Sequence, residues 1–166
     1  MVNPQRKDRI KNLSELMMKI EPYNQDITND LMELLLTADP DREAVLSYLP
    51  GAEILVARDE GALVGVGVLI REKDKFELKN LAVLSACRGK GIAKLLIAEL
   101  KHLAKSMGAR VLEVGTGNSS LSQLALYQKC GFRMQSIERN FYESYPEPIF
   151  ENGIRCIDMV RLRVEL

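Results

Sequence analysis

The chain has 166 residues, 46% hydrophobic and 28% charged, a balance expected of one soluble globular domain large enough to bury a proper core. Its 23 Lys and Arg equal its 23 Asp and Glu, so no net basic field points to nucleic acid or to a membrane surface. No apolar run is long enough to span a bilayer, and the polar stretch Met1 to Asn12 lacks the apolar segment of a secretory signal.

Residues 1–14 read as an extension, helical or frayed, ahead of a single domain over residues 15–166. Leu16 to Ile20 reads as a first strand stopped at Glu21-Pro22, because proline removes a ladder donor. Ile27, Leu31, Leu34 and Leu35 recur at helical spacing after a possible cap at Asp26, and a short helix follows from Asp41 to Tyr48. Glu53 to Arg58 and Ala62 to Ile70 form a hairpin around Asp59-Glu60-Gly61, where glycine suits a positive φ. Gly65 and Gly67 interrupt the second of these strands, for a bulge, close packing or a ligand. Lys73 to Lys75 turns into a strand over Phe76 to Leu84. A helix from Gly91 to Met107 carries Ile92, Leu95, Leu96, Leu100, Leu103 and Ala104 as an apolar stripe, and Gly108 ends it. Val111 to Val114 is a strand, Leu121 to Lys129 a helix closed by Gly131, and Phe132 to Ile137 and Cys156 to Val164 the last strands. Glu138 to Arg155 reads as a long loop, and loops of that length in compact domains tend to be functional or mobile. The order is that of a mixed α/β domain.

Cys87, Cys130 and Cys156 are an odd, widely spaced set, which argues against a disulfide framework or a zinc site and suits a reducing cytoplasm. His102 falls within a helix and reads as a solvated or half-buried residue rather than a catalytic one.

The most informative stretch is Arg88-Gly89-Lys90-Gly91-Ile92-Ala93, between the apolar run Leu81 to Leu84 and the long helix. Its glycines let the backbone approach a ligand closely. The helix start offers amides without intrahelical acceptors, the positive end of its dipole and nearby cations, a cradle for a phosphate or pyrophosphate. A P-loop needs a longer glycine spacing and a Lys-Ser or Lys-Thr pair, and a dinucleotide fingerprint needs three glycines after the first strand of a βαβ unit. Neither is present.

Arg88-x-x-Gly91-x-Ala93 at a strand-to-helix junction resembles the coenzyme A loop of the GNAT-type N-acetyltransferase superfamily. Asn118 after a strand and Leu126-Tyr127-Gln128-Lys129-Cys130-Gly131-Phe132 resemble further signatures of that family. The resemblance spans roughly residues 16–164, and residues 115–132 and 145–159 look particularly like a bacterial subgroup of uncharacterised acetyltransferases. It implies an α/β (α+β) GNAT fold: a central mixed, mostly antiparallel sheet splayed between strands 4 and 5 and flanked by about four helices. It implies acetyl-CoA as co-substrate, no metal, and direct transfer of an acetyl group to a primary amine in a ternary complex.

By the same resemblance, backbone groups around Leu81, Ala82 and Val83 would pair with the pantetheine arm, and amides of Arg88 through Lys94 (Gly89, Lys90, Gly91, Ile92 and Ala93 between them) would bind the pyrophosphate. Lys90 and Lys94 would add charge near the adenosine phosphates or stand as solvated helix-start cations. Tyr127 would be the general acid at the coenzyme A sulfur; its alternative is a packing tyrosine. Asn118 would bond the pantetheine or orient the neighbouring loop. Glu77 is the candidate base, with Glu113 a weaker substitute; an exposed strand glutamate is the plain alternative. Glu143, Glu147, Glu151 and Asp158, with Phe141, Tyr142, Tyr145 and Phe150, would suit a cationic acceptor by charge and cation–π contact, or would form a solvated loop or dimer contact. Ile157 to Val164 could pair across a homodimer. The rival reading is a non-catalytic acyl-CoA-binding module of the same fold.

Overall fold

A seven-stranded sheet in the order β1-β2-β3-β4-β5-β9-β6 organises the computed structural model, which describes residues 18–73 and 75–166. The expected extension over residues 1–14 lies outside the described residues. β1 (Met18–Pro22) pairs antiparallel with β2 (Glu53–Asp59). β1 is an edge strand, so Pro22 closes it inside the ladder rather than before it, with Leu55 opposite. Between these strands lie α1 (Asn29–Ala38) and α2 (Arg42–Tyr48). Thr28, not Asp26, precedes α1, whereas Asp41 caps α2 by accepting the Glu43 and Ala44 amides.

β2 turns at Glu60-Gly61, both at positive φ, into β3 (Ala62–Glu72), which pairs with β4 (Lys75–Val83). Lys79 is one residue too many for that ladder: Leu69 faces Leu78 while the adjacent Val68 faces Asn80. The bulge reverses the alternation of β4. Phe76 and Leu78 pack into the core under α3 (Ile92–Ser106), while Ala82 joins the core under α1 and α2. Asn80 likewise faces α1 and α2, where its amide donates to Leu35 C=O and Tyr48 Oη.

α3 covers one face through Ile92, Leu96, Ile97, Leu100 and Ala104, all buried. Leu95, expected in that stripe, is 47% exposed, and Ile97 occupies the core in its place. Gly67 is required here by close approach: a Cβ on it would stand 2.5 Å from Leu100 Cδ1. Gly108 takes φ +92 after α3, as the cap predicted. α1 and α2 cover the other face through Leu31, Leu34, Leu35 and Val45 against Val56, Val66, Val68 and Ile70.

β5 (Val111–Gly117) runs parallel to β4 and pairs with it only from Phe76–Leu112 to Leu78–Val114. Beyond that point β4 continues to Val83 and β5 to Gly117 without pairing, so the sheet opens into a cleft. α4 (Leu121–Lys129) follows β5 and leads to β6 (Arg133–Glu138), which pairs with β9 (Met159–Glu165).

The expected loop over 138–155 has structure of its own: a 3-10 turn at Phe141–Ser144 and a hairpin of β7 (Ile149–Glu151) and β8 (Ile154–Cys156). Asn152 and Gly153, both at positive φ, make its turn. The last predicted strand is therefore divided at Ile157-Asp158, whose amides leave the ladder to bond Asn118 Oδ1 at 2.8 and 3.0 Å.

Candidate active site

The splay leaves two cavities that meet at the opening of the sheet. One, about 440 Å³, is lined by Leu81, Ala82 and Val83 on β4 and by Cys87 to Gly89 and Gly91 to Lys94. Arg88 N–H is used by Ser85 C=O at 3.3 Å, and the ladder of α3 starts with Leu95 N–H to Gly91 C=O at 3.1 Å. Among the described residues, the amides of Gly89 through Lys94 have no backbone acceptor. Gly89 and Gly91 reach this geometry at φ +76 and +83, with open space where a Cβ would stand. The Arg88 side chain turns back to give Nε to Val83 C=O at 3.3 Å. Unpaired strand edge, unpaired amides and the helix dipole together fit an extended chain ending in a pyrophosphate. Lys94 lines this cavity; Lys90 is exposed outside its lining.

The second cavity, about 680 Å³, lies on the other side of the opening. Asp39, Glu77, Lys79, Asn80, Tyr127 and Glu151 are among its polar lining, and Tyr48, Phe141, Tyr142, Tyr145 and Phe150 supply aromatic walls. Thr37, Ala38, Leu81 and Gln123 line both cavities and mark where they meet.

Tyr127 stands on α4 one turn beyond Gln123 and is 5% exposed, with its ring edge-on to Phe132 at 5.7 Å. Burial, with a smaller contribution from Cys130, pushes its phenol well above the ordinary value, so it stays protonated. Glu77 Oε1 accepts Arg161 Nη1–H at 2.9 Å, with Lys79 Nζ at 3.7 Å. Arg161 also holds Glu138 at 2.7 Å. Glu113 lies opposite Glu77 in the β4–β5 ladder but outside both cavities.

Asn118 is occupied elsewhere. Its Oδ1 accepts two amides of the β8–β9 corner, its Nδ2 donates to Arg155 C=O at 3.1 Å, and it lines neither cavity. These bonds tie Asn118 to the corner ahead of β9. Glu151 accepts Ser120 Oγ at 2.7 Å and faces the cavity; Glu143 and Glu147 do not line it, and Asp158 accepts the Asn140 amide. The three cysteines are free, and burial pushes the Cys156 thiol up, away from the thiolate a nucleophile needs. His102 is exposed on α3 beside Glu99. Among the described residues, no group of His, Cys, Asp or Glu is placed to hold a metal ion, and no helix is long and apolar enough to cross a membrane.

Sequence reasoning missed Thr37, Asp39, Asn80 and Gln123. Asn80 left one trace, a lone amide inside the apolar end of a strand. Asp39 left none beyond its place at a helix end before Pro40.

A splayed sheet with an amide cradle on one lip and a side-chain-lined cavity on the other is the plan of a coenzyme A-dependent acyltransferase. The acetyltransferase (GNAT) family model matches residues 17–132. The uncharacterised N-acetyltransferase YvbK of Bacillus subtilis is 45% identical over 153 residues, covering 90% of this chain and 99% of the relative. A GNAT family acetyltransferase from Elizabethkingia anophelis, solved with acetyl-CoA bound, is 40% identical with a TM-score of 0.85, over 90% of this chain and 99% of that one. The IAA acetyltransferase from Bacillus cereus is 44% identical with a TM-score of 0.84, over the same shares. The chain belongs to the GNAT family and is an acetyl-CoA-dependent N-acetyltransferase. That finding sets aside the reading as a non-catalytic acyl-CoA module.

Proposed function

We propose that the protein transfers the acetyl group directly from acetyl-CoA to a cationic primary amine held in the second cavity, both substrates being bound at once. One observation carries this reading: the two cavities join at Thr37, Ala38, Leu81 and Gln123, so an acceptor can reach the donor without a covalent relay. The thioester supplies an activated acyl carbon. The chain's part is to align it, receive a proton from the amine and steady the departing sulfur.

Leu81, Ala82 and Val83 hold the pantetheine arm along the free edge of β4, and the amides of Gly89 through Lys94 hold the pyrophosphate. Tyr127 donates to the departing sulfur. With its phenol held far above the range of a thiol, it acts first as a hydrogen-bond donor, and full proton transfer completes as the carbon–sulfur bond breaks. Glu77, shared between Arg161 and Lys79, contributes negative charge to the wall. Aromatic rings and carboxylates favour a cation over an anion there. The free thiols suit a reducing cytoplasm.

The test is an acetylation screen that reads release of free coenzyme A thiol. It offers diamines and polyamines, aminoglycoside-like amines, peptides with free N-termini or lysines, and IAA, named with a relative. Saturable turnover with a primary amine is expected. Turnover confined to acceptors without a basic nitrogen overturns the reading.

A further inference from the structure

We infer that Asp39 is the group that receives the acceptor ammonium and takes its proton, a role resting on the amine reading above.

Position comes first. Thr37 and Ala38 line both cavities, and the next residue, Asp39, lines only the acceptor side. It sits where α1 ends, its own amide returning to Leu35 C=O at 3.1 Å. A nitrogen poised against a thioester carbon at the junction therefore lies beside this residue.

Its partners come second. Asp39 Oδ1 accepts the Asp41 amide at 3.2 Å and the Tyr145 hydroxyl at 3.4 Å. Among the described residues no Lys or Arg is ion-paired to it, in contrast to Glu77 between Arg161 and Lys79. The groups facing it are Asp41 and Tyr48 from the α2 region, Lys79 from β4, and Tyr142 and Tyr145 from the segment beyond β6. Burial, and then the like charge of Asp41, push its carboxyl up despite the two hydrogen bonds and Lys79. A carboxylate so placed accepts a proton from an ammonium more readily than a solvated one.

An orphaned acceptor comes third. Asn80 is 4% exposed and lines the same cavity. Its Nδ2 is used twice, by Leu35 C=O at 3.0 Å and Tyr48 Oη at 2.9 Å, which fixes the amide's orientation. Its Oδ1 has no partner. Buried acceptors are nearly always satisfied, so this one marks where a donor belongs. Tyr48 links it to Asp39: burial, and after it the Asp39 charge, holds the Tyr48 phenol up at about 12 against its bond with Asn80.

The proton balance is complete. One proton passes from the ammonium to an Asp39 oxygen. The freed lone pair forms the C–N bond, the C–S bond breaks, and its electron pair leaves on sulfur, which takes a proton from Tyr127. The nitrogen's second proton restores Tyr127 through solvent, and Asp39 releases its own to bulk water.

Asp39→Asn tests this on the intact protein with the best amine from the screen. At neutral pH kcat/KM should fall about a hundredfold, the scale of lost general-base catalysis, with acetyl-CoA Kd unchanged. The deficit should shrink as pH rises toward the amine's own pKa, where solvent supplies the neutral amine. Asp39→Glu should recover part of the rate. Tyr145→Phe removes a bond that favours the ionised carboxylate, so the acidic limb of kcat/KM should move to higher pH. Tyr145→Phe decides the matter if Asp39→Asn does not fold. Wild-type rates in Asp39→Asn, a loss independent of pH, or an unmoved acidic limb in Tyr145→Phe overturns the assignment while wild-type turnover keeps the amine reading. Absence of amine turnover in the wild type defeats both together.

Discussion

The smaller cavity of the cleft is distinguished by backbone amides without acceptors, the larger one by polar and aromatic side chains. The smaller cavity has the free edge of β4, the amides of Gly89 to Lys94 without backbone acceptors and two left-handed glycines, the groups proposed above to hold acetyl-CoA. On the acceptor side the groups that matter are Asp39, Asn80, Tyr127 and Glu151, brought from α1, β4, α4 and β7. A ligand common to many enzymes can be gripped by groups every residue carries. A ligand particular to one enzyme needs chemistry that only chosen residues carry. The same fold thus keeps its donor while its acceptor is rewritten by few substitutions.

The sharpest way to break this division is Tyr127→Phe, because Tyr127 lines the larger cavity yet is proposed to serve the donor's sulfur. Turnover should fall about a hundredfold while acetyl-CoA Kd by calorimetry stays put. Equal losses in both would move Tyr127 to the donor side as a packing residue. Next, Gly91→Val forces a β-branched residue into φ +83, and acetyl-CoA affinity should drop about tenfold or more. An unaltered Kd would mean the cradle does not depend on its backbone.

Asn118→Ala should lower Tm by roughly 3–10 °C and raise the amine KM with acetyl-CoA Kd unchanged, since its bonds tie the β8–β9 corner. Weakened acetyl-CoA binding of the same size would return Asn118 to the pantetheine. The smallest effect is expected from Lys94→Ala, about two- to fivefold in acetyl-CoA affinity, reduced further at high salt because the side chain is exposed. Amine KM should not respond.

That same division explains what could be read from the residues alone. The cradle was legible because its requirements are local: a glycine spacing, a preceding apolar strand and a following amphipathic stripe lie within some twenty consecutive residues. Helix ends were legible at Asp41 and Gly108 for the same reason. Of the larger cavity, Tyr127, Glu151 and the aromatic residues of 141–150 were named from the sequence but Asp39 and Asn80 were not, because these residues meet only after the sheet, two helices and the β6–β9 excursion are assembled. Glu77 stood out on its strand, but Arg161, which occupies it, lies in another strand and cannot be inferred from spacing. The region 138–155 read as loop because a three-residue strand with Pro146 and Pro148 before it carries too little alternation to be seen. Leu95 was drawn into the stripe of α3 because a helical period cannot tell the margin of a buried face from its centre.

Lys79 gives the last point a different form. A strand keeps count: every second residue belongs to the same side, and one insertion changes the count for everything after it. Here the extra residue hands β4 from one layer to the other midway. Pair it regularly instead, with Lys79 opposite Val68, and Asn80 would turn its amide to the α3 face, while Leu81 and Val83 would exchange sides with Ala82. One slip of pairing would misplace the whole upper half of the strand. Replacing the lysine by another residue would cost only its contacts with Glu77 and the Tyr48 ring. The irregular pairing at position 79 therefore matters more than which residue makes it.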